Sequence, residues 1–464
     1  MRFLKVRTII VVCVLFYAFG LHAQPLKKFA AGSRVVFAGN SITQAGYYVS
    51  YTWLYYMTRF PNQPIEVINA GIGGNTVKDI LARFDEDVLS RQPTVIVLTF
   101  GMNDSGYFEY LKGDAEEVAD TKVEESHASF RTLIDKLKTL SGVDVVLMSS
   151  SPYDETLKGK DNHFPGKSKA MERIIAFQKD AAKENGWPFV DLYSPMKQLN
   201  IEGQKRNPGF TISGKDRIHP GNGGHLIMAY HFLKSQGLAG LPVAEIEIDA
   251  KKQRANKTIN ATVENVSATR SSLSFDYLAD ALPFPIDSAS RIWGSEEKQS
   301  DALALVSFEK EFNQEIIRVR NLEAPSYELI IDGASVGVWR REDFEDGVNI
   351  AFNARTPQYK QAVQIRNLNQ ARKEIEDKLR EYYSLQFNFF QNRGLLFKDD
   401  LEAYEQAAKQ AKTDWTVSGK MDLYGSLRFP EIRQSLRDQM KLIVEMIYRM
   451  NKPQPHRIEL ISVK

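Results

Sequence analysis

The sequence predicts an α/β fold whose first part, residues 24–240, is a three-layer domain built on a parallel sheet. Three observations support this prediction. Short apolar runs rich in β-branched residues alternate with amphipathic stretches in this part. After Gly240 the chain changes to short alternating strands, and after Thr356 to long helical periodicity. We therefore expect a small antiparallel β domain over 241–350 and a helical hairpin or bundle with a C-terminal strand over 351–464.

The composition is that of a globular protein with two or three domains. The 464 residues are 43% hydrophobic and 25% charged, and the formal net charge is +2. A near-neutral chain without a basic run gives no reason to expect a nucleic-acid partner. The oligomeric state stays open at this level.

Residues 1–23 have the pattern of a secretory signal peptide. Basic residues precede the apolar stretch 8–21, which is shorter than a membrane span requires, although a membrane anchor is the alternative. Cys13 is the only cysteine, so the chain after this segment has no disulfide, catalytic thiol or cysteine-ligated metal. We expect an exported bacterial protein, periplasmic or extracellular, with no stable membrane span once the signal is removed.

The first domain is expected to alternate five strands with five helices. The apolar runs predict strands over 35–38, 65–68, 95–100, 143–148 and 189–190. The amphipathic stretches predict helices over roughly 46–60, 76–90, 125–140, 166–186 and 222–236. Strands that are apolar on both faces and separated by helices are typical of a parallel sheet covered on both sides.

The second domain is expected to consist of short strands. They are predicted over 243–248, 258–263, 273–277, 303–308 and 316–319. Alternation over 327–331, the tight-turn pair Asp332-Gly333 and alternation over 336–338 predict a hairpin.

The third domain is expected to be helical. Thr356-Pro357 is a typical helix start, and apolar residues recur at helical spacing over 365–382 and 432–447. A short helix is predicted near 399–412, and 457–463 predicts a strand that returns to the β domain. The two apolar stripes must be buried on each other, on the first domain or on a second copy of the chain. We favour packing within the chain, with the helical domain against the β domain and near the mouth of a site in the first domain.

Four polar blocks follow predicted strands or close the first domain. They are Gly39-Asn40-Ser41-Ile42-Thr43, Asn69-Ala70-Gly71-Ile72-Gly73-Gly74-Asn75-Thr76, Gly101-Met102-Asn103-Asp104 and Asp216-Arg217-Ile218-His219-Pro220. Each block alone is a weak signal. All four in this order make residues 34–225 resemble the SGNH, or GDSL-type, hydrolase superfamily, and in particular its secreted bacterial carbohydrate esterases. Asn40 stands where that superfamily often has Asp.

The chemistry of these residues fits a nucleophilic serine. A serine hydroxyl becomes a good nucleophile when a neighbouring base takes its proton, and His219 is the natural base. Asp216 precedes it by three residues and can accept from the other ring nitrogen. The order Ser, Asp, His also occurs in α/β-hydrolases, but their Gly-x-Ser-x-Gly turn would require glycine at Thr43.

The resemblance implies roles for individual residues. It implies a catalytic triad of Ser41, Asp216 and His219. It also implies an oxyanion hole formed by the backbone N–H groups of Ser41 and Gly74 and by the side-chain amide of Asn103.

The expected site also includes two tyrosines and no metal ion. Tyr47 and Tyr48, just after the serine, are candidate substrate contacts because aromatic faces stack on sugar rings, with core packing as the alternative. The chain has no His/Asp/Glu cluster with metal-ligand spacing, so we expect no metal and no cofactor.

These observations predict a secreted serine esterase with an SGNH-type fold. It is expected to hydrolyse O-acyl esters, O-acetyl above all, on carbohydrate, so that its partner is an acylated carbohydrate or another small ester. One alternative is a lipid or aryl esterase. Another is a glycan-binding or scaffold protein with a weak hydrolase core.

Overall fold

The structure is a computed structural model that describes residues 24–292 and 295–463. The predicted signal peptide, 1–23, lies outside the described residues. Within them, no helix is both long and apolar enough to cross a bilayer.

The first part of the chain forms a five-stranded parallel sheet in the order β2-β1-β3-β4-β5. The strands are β1 (Arg34–Gly39), β2 (Glu66–Gly71), β3 (Val95–Phe100), β4 (Asp144–Ser149) and β5 (Phe189–Val190). In β1, Val35 and Phe37 face one helical layer while Val36 and Ala38 face the other, and all four are fully buried. Residues 35–38 are all apolar because neither face of the strand meets water there.

Helices cover both faces of this sheet, which confirms the predicted three-layer α/β domain. They are α1 (Ser41–Ala45), α2 (Tyr47–Arg59), α3 (Val77–Ala82), α4 (Ala115–Lys138), α5 (Lys167–Asn185), α6 (Tyr193–Arg206) and α7 (Asn222–Ser235). α2 and α7 pack together on one face, and α3, α4 and α5 lie on the other. α6 is absent from the sequence prediction because Tyr193 and Met196 are its only buried apolar residues.

The second part of the chain is a two-sheet β sandwich. Its strands are β6 (Ala244–Asp249), β7 (Arg254–Ile259), β8 (Ala261–Ala268), β9 (Ser272–Ala279), β10 (Glu315–Arg320), β11 (Ser326–Ile331), β12 (Ala334–Arg340), β13 (Val348–Asn349) and β14 (His456–Ser462). The five-stranded sheet, β12-β11-β14-β9-β8, is antiparallel as expected. In the four-stranded sheet, β13-β10-β6-β7, the central pair β6 and β10 is parallel. The predicted return of the C-terminal strand to this domain is confirmed by β14.

Two strand predictions in this region are wrong. Residues 303 and 304 end a 3-10 helix, Gln299–Ala304, and Phe308 begins the next helix after a three-residue connection. The apolar side chains of this run pack against the core of the first domain. Residues 258–263 span the turn between β7 and β8, where Asn260 has a φ of 50°. In both places an apolar or β-branched run reflects burial or turn geometry rather than one continuous strand.

The remaining helices lie in the second half of the chain. They are α8 (Phe308–Phe312), α9 (Arg341–Asp346), α10 (Pro357–Leu385), α11 (Leu401–Gln410), α12 (Trp415–Ser418), α13 (Met421–Leu427) and α14 (Pro430–Met450). The Thr356 side chain caps α10 by accepting from the Tyr359 N–H at 3.2 Å. α10 packs on α14, and also on α2 and the edge strand β2. The helical region therefore rests mainly on the first domain rather than on the β domain, where we expected it.

A buried carboxyl in β10 connects three parts of the chain. Glu315 Oε1 accepts from the Tyr277 hydroxyl of the opposite sheet at 3.0 Å and from Gln358 Nε2 of α10 at 3.3 Å. Burial raises the pKa of Glu315 to about 7, although these hydrogen bonds and the nearby charge of Arg59 oppose the shift.

We expect Glu315 to make the protein less stable as the pH rises from about 4.5 to about 7. In this window the folded carboxyl keeps its proton while the unfolded one loses it, so the free energy of unfolding falls with pH. At about 1.4 kcal/mol per pKa unit, the loss is at most about 3.5 kcal/mol. Glu315→Gln should flatten this part of a profile of urea midpoint against pH. A variant profile as steep as that of the wild type would contradict the assignment.

Candidate active site

Ser41 stands on the tight turn between β1 and α1. Gly39 ends the strand, and a Cβ there would lie 2.2 Å from Thr43 Oγ1, so the turn closes only with glycine. The Asn40 side chain accepts from the Ile42 N–H at 3.0 Å and caps the helix. Ser41 is thus the first residue of a short helix at the carboxyl edge of the sheet, where open α/β sheets bind ligands.

His219 and Asp216 complete a hydrogen-bonded chain that begins at Ser41. Ser41 Oγ lies 2.8 Å from His219 Nε2, and His219 Nδ1 lies 2.6 Å from Asp216 Oδ2. Asp216 Oδ1 also accepts from the N–H groups of Ile218 and His219. The His219 side chain is 47% exposed, so a molecule in solution can reach it. The structure therefore brings together the three residues expected to form the triad, in the order that proton transfer from a serine requires.

The carboxyl of Asp216 stays ionised in this setting. Partial burial alone would raise the pKa of Asp216, but the hydrogen bond and charge of His219 and two backbone N–H groups outweigh it. The resulting pKa lies below the ordinary value for Asp. A carboxylate at Nδ1 favours the imidazole tautomer that presents Nε2 to Ser41 as an acceptor.

Arg217, between these two residues in sequence, anchors their loop. Its guanidinium is 1% exposed and donates to the carbonyls of Asp154, Leu157, Gly159 and Asp161. Its φ of 70° is unusual for a residue with a side chain. Sequence reasoning missed this role because an arginine in a polar loop is ordinarily a solvent-exposed residue.

The glycine loop, defined here as Gly71 to Asn75, lies beside Ser41. A Cβ added at Gly73 would be 3.8 Å from Ser41 Cβ. Gly74 has a φ of 80°, and its Cβ position meets no atom within 4 Å, so its backbone borders open space. Asn103, in the turn after β3, donates from Nδ2 to the Asn75 carbonyl at 2.8 Å. The residues expected to supply an oxyanion hole are thus joined at one edge of the site.

A buried ammonium group supports the turn that carries Asn103. Lys167 Nζ donates to Ser105 Oγ and the Gly106 carbonyl, each at 2.6 Å, and lies 3.8 Å from the ring centre of Tyr107. The Tyr107 hydroxyl donates to Asn103 Oδ1 at 2.7 Å. Burial lowers the pKa of Lys167 well below its ordinary value. Asn103 is thereby held with its NH₂ group toward the glycine loop.

Helix α10 reaches the same loop through a buried ion cluster. Arg380 makes two hydrogen bonds to the carboxylate of Asp87, at 2.7 and 2.8 Å, and Arg83 adds a third at 2.6 Å. Burial would raise the pKa of Asp87, but the two arginines hold it well below its usual range. Arg380 also donates to the Gly71 carbonyl, and Arg83 donates to the Gly39 carbonyl. One cluster therefore ties both turns of the site to the helical region.

Three amide and carboxylate side chains make a second connection to the glycine loop. Gln44 Oε1 accepts from the Gly73 N–H at 2.5 Å, and its Nε2 donates to Glu381 of α10 at 2.8 Å. Asn388, just after α10, donates to the Gly73 carbonyl at 3.0 Å and accepts from Asn75 Nδ2 at 3.1 Å. Sequence reasoning missed these residues because their partners lie more than 300 positions away along the chain.

The two candidate tyrosines occupy different surroundings. Tyr48 is fully buried and its hydroxyl lies 2.9 Å from Thr43 Oγ1, so core packing replaces the expected substrate contact. Tyr47 is half-buried, and the ammonium of Lys373 lies 4.0 Å from its ring centre. Contact between Tyr47 and a substrate stays a prediction.

Across residues 24–292 and 295–463, no group of three or more His, Cys, Asp or Glu side chains is arranged to hold a metal ion. The candidate site brings together one hydroxyl, one imidazole, one carboxylate and a set of neutral N–H donors.

Comparison with known proteins finds a match in each half of the chain. Residues 37–227 match the GDSL-like lipase/acylhydrolase family, and residues 363–452 match the diltiazem deacetylase C-terminal helical domain. The solved structure of a gut microbial diltiazem-metabolizing enzyme is 44% identical, covers 95% of this chain and 100% of its own, and superposes with a TM-score of 0.93. An acetylxylan esterase from Geobacillus stearothermophilus is 27% identical over 227 residues, which are 45% of this chain and 96% of that protein.

Replacing Arg380 with methionine should destabilise the protein and loosen the glycine loop. The change leaves the Asp87 carboxylate buried with fewer partners, and breaking a buried pair in this way costs about 3–5 kcal/mol. We expect a lower urea midpoint and faster hydrogen exchange at the amides of residues 71–75. Lys378→Met, at an exposed position of the same helix, is the matched control and should change neither. Equal effects of the two substitutions would contradict the role given to the cluster.

Proposed function

The chain belongs to the GDSL-like lipase/acylhydrolase family, and from that premise we propose that it removes O-acetyl groups from carbohydrate through Ser41, His219 and Asp216. Family membership makes it a serine hydrolase of carboxylic esters, which favours catalysis over the glycan-binding alternative. The observation that carries the proposed mechanism is the hydrogen-bonded chain from Ser41 Oγ to Asp216 beside the glycine loop.

The first half of the proposed reaction acylates the enzyme. His219 Nε2 takes the proton of Ser41 as its oxygen attacks the ester carbonyl carbon, and Asp216 stabilises the resulting imidazolium. The tetrahedral intermediate collapses when His219 gives that proton to the departing alcohol oxygen. The products of this half are the free alcohol and an acetyl ester on Ser41.

The second half hydrolyses this acetyl ester. His219 takes a proton from water, the hydroxide attacks the carbonyl carbon, and Ser41 leaves with the proton returned by His219. In both halves the negative oxygen is expected to lie near the N–H groups of Ser41 and Gly74 and the amide of Asn103. A donor of this kind contributes about 2.7–4 kcal/mol to the transition state.

Two relatives support acetyl as the acyl group. One is named an acetylxylan esterase, and the helical domain is named for a deacetylase. The carbohydrate part of the proposal is supported by the acetylxylan esterase relative and by the secretory pattern of residues 1–23. Export of the protein is part of the same proposal. The second candidate is an acetyl ester of a small molecule that is not a carbohydrate, favoured by the 44% identity with a diltiazem-metabolizing enzyme over nearly the whole chain.

Substitution of the three proposed catalytic residues tests the mechanism. Ser41→Ala, His219→Ala and Asp216→Ala should each lower kcat on 4-nitrophenyl acetate by about 10⁴-fold or more, and the losses should not add, since the residues act as a unit. A fluorophosphonate probe should label Ser41 in the wild type and label nothing in Ser41→Ala. Labelling of another serine, or full turnover by Ser41→Ala, would contradict the proposed mechanism.

A set of esters tests the proposed substrate. We expect acetate release from acetylated xylan to exceed the cleavage of long-chain acyl esters, because the acyl group is proposed to be acetyl. Diltiazem serves as the acetyl ester of a small molecule that is not a carbohydrate, and Ser41→Ala serves as the blank for each substrate. Preference for long acyl chains would favour the lipid esterase alternative, and cleavage of diltiazem without release of acetate from xylan would favour the small-molecule candidate.

A further inference from the structure

A polar pocket of about 280 Å³ lies beside the glycine loop, on the side of the helical region. One wall is the glycine loop itself, through Gly73, Gly74 and Asn75. The other is the segment 387–392, which follows α10 and is more than 300 residues further along the chain. We call this space the amide pocket because its second wall presents Asn388, Gln391 and Asn392.

The amide pocket borders the reacting serine through two glycines. Gly73 lines the pocket, and a Cβ added to it would lie 3.8 Å from Ser41 Cβ. Gly74 also lines the pocket and borders open space, as its unobstructed Cβ position indicates. An ester whose carbonyl lies at Ser41 can therefore extend across Gly74 and place its remaining part between the two walls.

The hydrogen-bonding capacity of the second wall is only partly used within the protein. Asn388 is fixed by its bonds to Gly73 and Asn75. Gln391 donates from Nε2 to the Ala82 carbonyl at 3.1 Å, which leaves its own carbonyl oxygen as an acceptor. Asn392 is exposed and forms no side-chain hydrogen bond with the described residues. An amide both donates and accepts, as a hydroxyl group does, so the free capacity matches neutral hydroxyl groups.

The charges around the amide pocket disfavour an anionic ligand. Arg83, which lines it, is paired with the buried carboxylate of Asp87. Asp79, also on the wall, accepts from the N–H and hydroxyl of Thr76 and leaves a negative charge there. The nearly buried ring of Phe387 adds a flat apolar surface. Amides beside an aromatic face suit a polyhydroxylated group better than an anion or a plain hydrocarbon.

We propose that the amide pocket binds hydroxyl groups on the alcohol half of the ester, so that the helical region selects the leaving group. This inference rests on the proposed esterase function and adds to it a determinant of specificity outside the family's α/β domain.

The test uses the full-length enzyme and two acetate esters that differ only in hydroxyl groups, glycerol 1-monoacetate and propyl acetate. Asn392→Leu and Gln391→Leu should each lower kcat/KM for glycerol monoacetate by about three- to tenfold, the usual effect of one lost hydrogen bond. Both variants should cleave propyl acetate with the kcat/KM of the wild type. Asn392→Gln keeps the amide and should retain the wild-type ratio of kcat/KM for glycerol monoacetate to kcat/KM for propyl acetate. Gln439→Leu removes an exposed amide on α14 and should change neither rate.

Two results would overturn the inference. One is a parallel fall for both esters, which would show a general structural effect. The other is an unchanged ratio of the two rates in both leucine variants. Failure of the proposed function has a different signature, since a wild type that cleaves both small esters but releases no acetate from acetylated xylan would contradict the carbohydrate substrate alone.

Discussion

The active site depends on one buried carboxylate, that of Asp87. A carboxylate removed from water without partners costs several kcal/mol, and Arg380 and Arg83 supply those partners from two distant parts of the chain. Their remaining N–H groups donate to the carbonyls of Gly39 and Gly71, which end β1 and β2. Both glycines lead directly into the turns of the site. The two arginines that neutralise the Asp87 carboxylate therefore also fix the positions of Ser41 and of the glycine loop.

The helical region is consequently part of the site and not an appended module. The acetylxylan esterase relative aligns over 96% of its own length with 45% of this chain, so the β sandwich and the helices are additions to the part the two share. Arg380, Glu381 and Asn388 connect that addition to the glycine loop by direct hydrogen bonds. Asn388 both holds the loop and lines the amide pocket, so the segment that follows α10 takes part in the stability of the site and in its shape.

The sequence predicted those features that depend on neighbouring residues. The meeting of Ser41 with Asp216 and His219 is predictable because short motifs contain all three residues, and α10 is predictable because Thr356-Pro357 and its apolar spacing are local signals. The burial of Arg380 and Lys167 is not predictable from the sequence. A buried cation inside an amphipathic helix has the same spacing as an exposed one, and only its distant partner distinguishes the two. The strand prediction for 303–308 is wrong because a helical turn that is buried against another domain has the same apolar content as a strand.

The position of β14 bears on how the protein is made. This strand, residues 456–462, lies between β11 and β9 in the five-stranded sheet, so the β8–β9 and β11–β12 hairpins are not joined without it. A nascent chain on the ribosome cannot close the sandwich until residues 456–462 have been synthesised, and until then both hairpins expose unpaired edges. A stop codon shortly before β14 would remove the central strand of that sheet, so the resulting protein should be recognised by proteases although its whole α/β domain had been synthesised.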